Sequence, residues 1–141
     1  MSEYAKPLPP DDPPNRPFRE GAKRGVLMLQ RCRDCGTHRF PATRYCAHCR
    51  GEDNEWVETS GAGVVESFCT FHRAYWPSFK GDLPYDVVQV RLAEGVRLFS
   101  NLVGVPQGQA RSGMRVQARF EAVTPAVTLV KFAPAEQGDK R

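Results

Sequence analysis

Residues 31–36 read Arg-Cys-Arg-Asp-Cys-Gly and residues 46–51 read Cys-Ala-His-Cys-Arg-Gly. Two residues between paired cysteines let the backbone fold over a metal so that both sulfurs sit about 2.3 Å from it, and two such pairs complete a tetrahedron. Cys32, Cys35, Cys46 and Cys49 are therefore the expected ligands of a structural zinc ion in a short zinc ribbon. Gly36 and Gly51 should supply backbone freedom just past each pair, and Arg31, Arg33, Arg44 and Arg50 should screen the charge of four thiolates. Four sulfurs saturate the metal and leave no position for substrate, so its role is to hold structure. Iron in a rubredoxin-like electron carrier is the chemical rival, because the same spacing binds it. Four buried or disulfide-bonded cysteines are the bland alternative, and that reading treats the paired spacing as coincidence.

Working outward, the first third of the chain is rich in Pro and Arg and poor in branched aliphatics, so it cannot bury enough apolar surface without a metal to organise it. The whole sequence, 141 residues, fits one compact domain or two small ones. Five cysteines, an odd number, suit a reducing compartment better than a disulfide framework. No stretch approaches the roughly 20 apolar residues of a membrane span, and the N-terminus lacks signal-peptide organisation, so the expected location is cytoplasmic and away from membranes. The formal charge of +4 falls to about +2 once four thiolates and one zinc ion are included. Basic residues are dispersed among acids instead of forming the stripe typical of nucleic-acid binders.

The organisation expected along the chain is mainly β. Residues 1–14 (MSEYAKPLPPDDPP) read as an extended or disordered arm, and residues 15–60 as a short helix capped by Asn15 and closed by Gly25, followed by the zinc ribbon. A strand is expected over Val26 to Gln30, with Trp56 packing at the hinge that follows the ribbon. Beyond Gly61-Ala-Gly63 the apolar period becomes two. Strands are expected over Val64 to Phe71, Asp86 to Leu92 (Val88, Val90 and Leu92 inward), Val96 to Leu102, Arg115 to Phe120 and Val127 to Phe132. The first of these sorts its faces poorly. Five short strands with a long first loop imply a small Greek-key barrel of the OB type over residues 61–133, with a polar tail at 134–141.

That long loop, His72-Arg-Ala-Tyr-Trp-Pro-Ser-Phe-Lys-Gly-Asp-Leu-Pro-Tyr85, is the densest unusual stretch. Aromatics and Arg in a Pro- and Gly-punctuated loop favour a binding surface, for a partner protein or a flat ligand, over a barrel plug. His72, Arg73, Tyr75, Trp76, Phe79 and Tyr85 are the candidate residues. Catalytic residues are not expected: His38, His48 and His72 have no spacing that joins them to a nucleophile and a carboxylate, and Cys69, central in a strand, reads as a core residue. A nucleic-acid-binding ribbon and barrel is the competing class, and would use the sheet face carrying Arg91, Arg97 and Phe99.

Several segments together carry a resemblance: Gly25-Val-Leu-Met-Leu-Gln-Arg-Cys-Arg-Asp-Cys-Gly36, Pro41 with Cys46-Ala-His-Cys49, Gly61-Ala-Gly63-Val-Val-Glu-Ser-Phe68, Leu83-Pro-Tyr85, Glu94-Gly95-Val96-Arg-Leu98 and Gly113-Met-Arg-Val116. The chain resembles the acyl-CoA-associated OB-fold family with a rubredoxin-like zinc ribbon, over about Pro17 to Pro134. The resemblance implies a small subunit of thiolase-superfamily enzymes acting on acyl-CoA: thiolases, acyltransferases, or aldolases of lipid and steroid metabolism. Catalytic groups would then lie on the partner, in a hetero-oligomer expected to be a dimer of heterodimers, and acyl-CoA would be a ligand shared within the complex. This sequence lacks the hydratase segment fused to some relatives, and it departs from the family pattern at Cys69.

Overall fold

A computed structural model describes residues 6–9, 12–106 and 109–135. Half of the expected arm (residues 1–5 and 10–11) and most of the expected tail (136–141) lie outside them. A single 3-10 turn, Pro13–Asn15, leads into helix α1, Arg16–Lys23. Asn15 does not cap it through its side chain; its Oδ1 instead accepts the Ala42 N–H at 2.7 Å, tying the helix start to the ribbon. Gly21 lies where the helix meets the following strand: a Cβ there would strike the Met28 side chain and stand 2.9 Å from the Val26 carbonyl.

Three strands form the ribbon sheet. β1 (Leu27–Cys32) lies between β2 (His38–Arg39) and β3 (Asn54–Thr59), antiparallel to both. The last two strands were not expected; β2 is two residues long and β3 is half-buried throughout most of its length, so neither has a clear apolar period.

Five more strands make the barrel: β4 (Ala62–Phe71), β5 (Tyr85–Leu92), β6 (Arg97–Asn101), β7 (Arg115–Ala122) and β8 (Thr128–Pro134). They pair in the order β6-β5-β4-β7-β8, all antiparallel. The two edges then approach each other: Leu102 bridges Phe132 in parallel, and the Val103 N–H donates to the Phe132 carbonyl at 2.8 Å. A meander of three strands whose third meets the fifth in parallel is the OB arrangement, and it nearly closes the sheet on itself.

The poorly sorted faces of β4 have a physical cause. Val65 pairs with Val90 and Ser67 with Gln89, so Glu66 is an extra residue in a β-bulge. Val65 points inward and is fully buried, whereas Glu66 and Ser67 both belong to the outer face. Cys69 consequently lies on the outer side and is exposed, which corrects the expectation that it belongs to the core.

One apolar core serves both sheets. Leu27 and Leu29 of β1 pack into the same cluster as Val65, Val88, Val90 and Phe132 of the barrel, with Phe18 and Phe40 against it. Trp56 is half-buried and is not part of this cluster, so the junction rests on β1, not on the expected hinge tryptophan. Phe132 is fully buried at the seam of the barrel, and Phe132→Ala should cost about 3–5 kcal/mol, read as a shift in the denaturant midpoint at unchanged slope.

Candidate metal centre and aromatic surface

The end of β1 and the two turns that follow it bring Cys32, Cys35, Cys46 and Cys49 together, with one ligand atom of each within 4.8 Å of the others. Cys32 and Cys49 sulfurs are 3.6 Å apart, as are those of Cys35 and Cys46. A tetrahedral zinc with sulfurs at about 2.3 Å has edges of about 3.8 Å, so the donor set fits the ion. Among the described residues this is the one cluster of at least three His, Cys, Asp or Glu residues placed to hold a metal.

Local backbone geometry explains the site. In the first turn the Gly36 N–H donates to the Cys32 carbonyl at 2.9 Å, and Gly36 adopts φ +82°, open to it at no steric cost. In the second turn the positive φ falls instead on Arg50, at 66°. Gly51 is needed for another reason: a Cβ there would strike the Asp34 carboxylate and lie 3.2 Å from the Cys49 sulfur. Backbone N–H groups of His48 and Gly51 donate to the Cys46 and Cys49 sulfurs, each at 3.3 Å. Three of the four nearby arginines pair with acids: Arg31 with Glu55 at 3.0 Å, Arg44 with Glu52 at 2.6 Å, and Arg33 with Asp53 and Glu55 at 3.7 and 3.6 Å.

The sulfurs differ in proton affinity. The Thr37 hydroxyl and then its backbone N–H favour the Cys35 thiolate and hold its pKa down to about 5. The Gly51 N–H favours the Cys49 thiolate too, but Cys32, burial and the other two thiols outweigh it and push Cys49 up to about 12. Crowded sulfurs cannot all ionise unless a cation joins them, which is the electrostatic reason a four-thiolate site needs its metal. Bound there, zinc would cross-link two turns and take no part in chemistry.

The second candidate region is the loop between β4 and β5. Its rings form a chain: Tyr75 meets Phe71 edge-on at 6.1 Å, Phe71 stacks on Tyr85 at 5.2 Å, Tyr85 lies 5.6 Å from Phe79, and Phe79 lies 6.3 Å from Trp76. The Arg73 guanidinium covers Tyr75 at 5.1 Å. Tyr75 is 61% exposed and Trp76 56%, while Phe79 and Tyr85 are half-buried as their support. His72 is exposed beside them and belongs to none of these ring contacts. A cleft of about 440 Å³ opens behind the loop, between Phe79, Pro84 and Tyr85 on one side and Leu102, Val105 and Leu129 on the other.

Sequence reasoning missed Phe71, the ring that links Tyr75 to Tyr85. The signal was its place in β4 opposite Tyr85, which the β4–β5 register makes a cross-strand aromatic pair. The outer sheet face continues the surface through exposed Cys69, half-buried Val87 and Phe99, which is 74% exposed. Arg91 and Arg97 stand opposite each other on that face, and the bulged Glu66 bridges them at 3.0 and 2.6 Å. The Arg97 hydrogen bond, supported by Arg91, holds the Glu66 carboxyl below its ordinary pKa.

Comparison with known proteins adds to this geometry. Residues 19–55 match the family model for the ChsH2 rubredoxin-like zinc ribbon domain, and residues 56–121 that for the ChsH2 C-terminal OB-fold domain. A probable enoyl-CoA hydratase alpha subunit of Thermomonospora curvata is 38% identical over 92% of this chain, which spans only 40% of that protein's length. A DUF35 domain-containing scaffold protein of Methanocaldococcus jannaschii is 31% identical over 77% of each chain. The benzoylsuccinyl-CoA thiolase subunit BbsA of Thauera aromatica is 34% identical over 57% of this chain and 54% of its own. Among solved structures, a chain of the Ltp2-ChsH2(DUF35) aldolase superposes with a TM-score of 0.81 at 38% identity, covering 91% of this chain and 99% of that one. No helix among the described residues is long and apolar enough to cross a membrane.

Proposed function

Because the chain belongs to the ChsH2/DUF35 family of zinc-ribbon and OB-fold proteins, we propose that it is a non-catalytic subunit that docks on a thiolase-superfamily enzyme acting on acyl-CoA. The carrying observation is the ring chain ending in Tyr75 and Trp76, two large side chains more than half exposed, with Phe99 exposed farther along the sheet. Aromatic anchors backed by a second row of rings are what a protein interface concentrates its energy in. The similar proteins bear the names of a thiolase subunit, a scaffold and an aldolase, which supports a partner of that class. In this reading the zinc holds the ribbon, and the ribbon and barrel surfaces help to shape the acyl-CoA or acceptor channel. The nucleophile and acid-base groups lie on the partner, and the assembly is a dimer of heterodimers.

One observation favours a second reading. The exposed Phe99 and the β4–β5 loop occupy the face and loop with which OB-folds bind oligonucleotides. The two arginines of that face already share Glu66, which leaves little positive charge for phosphates.

The test is affinity purification of the protein from its native cells, followed by mass spectrometry of what stays bound through moderately high salt. A thiolase-fold protein in comparable amount is the expected result, and the recovered mixture should then turn over acyl-CoA substrates. Nucleic acid or ribosomal proteins without a thiolase would replace the first reading with the second.

A further inference from the structure

The aromatic loop has little of its own to stand on. Its central 3-10 turn, Pro77–Asp82, contains no fully buried residue, and its rings lean on one another more than on the core. The N-terminal arm supplies the missing support. Lys6 Nζ lies 2.7 Å from Asp82 Oδ2 and 5.5 Å from the centroid of Phe79, the ring that backs Trp76. Pro7 lines the cleft with Phe79 and Tyr85. Asp12 anchors the other end of the arm on the start of α1, accepting the Asn15 side-chain amide at 2.6 Å on its carboxylate and the Arg19 guanidinium at 3.0 Å on its carbonyl.

We propose that residues 6–9 are a strap that positions the aromatic surface, and that Lys6 is the residue through which they act. The strap touches Phe79, Asp82 and the cleft side of the loop, and Tyr75 and Trp76 remain exposed with it in place. It therefore braces the surface without occupying it. An exposed ion pair alone contributes little. The ammonium over the Phe79 face adds a second attraction to the same contact, and Pro7 and Pro9, which follow it, lose little freedom when ordered. A loop ordered before docking has less to lose on docking, so the strap should strengthen partner binding without touching the partner. What the loop binds rests on the docking reading above; the bracing itself does not.

The experiment separates the two. In the full-length chain, Lys6→Asp and Asp82→Lys should each speed amide exchange of residues 77–85 in the free protein about fivefold, and the double swap should restore it to within about twofold. Lys6→Arg should stay near the unmutated rate, because it keeps both the charge and the ring contact. Removing residues 1–9 should raise exchange of the same residues about tenfold and weaken capture of the copurified thiolase-fold partner about tenfold, with exchange in β5 and β7 unchanged. Equal exchange with and without the arm overturns the strap, whatever the partner result. Faster exchange with undiminished capture overturns its positioning role. Failure of the unmutated chain to capture any thiolase-fold protein sinks the docking reading, and the positioning role with it, while the exchange rates still decide the bracing.

Discussion

Stripping zinc from the protein with a strong chelator should unfold residues 27–59 first, and Cys46→Ser should do the same without a chelator. The magnitude follows from the metal's share of the folding energy. Structural zinc in small ribbons binds with an apparent free energy of about 10–16 kcal/mol at neutral pH, as large as the entire stability of an ordinary domain, about 5–15 kcal/mol. The ribbon sheet has one well-buried strand, β1, and its partners β2 and β3 have no fully buried residue to hold them once the two turns are released. The loss should appear as collapse of amide protection in β1 to β3. The barrel should follow at lower denaturant than in the metal-loaded protein, because Leu27 and Leu29 leave the core they share with it. Unchanged secondary structure and solubility after complete metal removal would show the ion to be incidental. A colourless preparation containing one zinc per chain would dismiss the iron alternative, since an iron-sulfur centre of this type is red and bleaches on reduction.

The second large effect concerns docking. Replacing Tyr75 and Trp76 together with Ala should weaken partner binding at least about 100-fold, since anchors of this kind each cost about 2 kcal/mol or more when truncated. Stability should barely move. Both side chains are more than half in solvent, and substitutions at such positions stay within about 0.5 kcal/mol. Partner capture and the thermal midpoint measured on the same preparation separate the two effects. Full capture by the double variant would place the interface elsewhere, and a large fall in midpoint would show that the rings serve the barrel. Phe79 and Tyr85 are unsuitable for this test because they are half-buried beneath the anchors, where truncation would disturb both quantities.

Legibility followed the strength of the local signal. The cysteine pairs were readable because coordination chemistry dictates spacing directly, and the structure brings all four sulfurs to one point. The β5–β6 hairpin was readable because Val88, Val90 and Leu92 alternate cleanly before a turn at Gly95. The bulge at Glu66 was not, because an inserted residue changes the period without changing composition; only its consequence, a strand with mixed faces, could be seen. Cys69 was misplaced by that same shift. The acid partners of Arg31, Arg33 and Arg44 were not legible because sequence proximity to a thiolate cluster does not say which acid lies nearer in space. Phe71 was overlooked because its partner, Tyr85, lies across a loop whose length hides their register. The strap was invisible for the same kind of reason: nothing in Lys6-Pro7 points to Asp82 until the fold sets them side by side.

The core common to the two sheets also bears on inheritance. Leu27 and Leu29 belong by position to the metal-binding half, yet the cluster they are buried in, with Val65, Val88 and Phe132, is contributed mostly by the barrel. A volume change on one side is therefore felt by the other. Among relatives, positions 27 and 29 should vary in concert with positions 65, 88 and 132, and a ribbon transplanted from one relative to another should be accepted only with matching residues there. The halves can be told apart by eye, but they are bound to evolve as a single object.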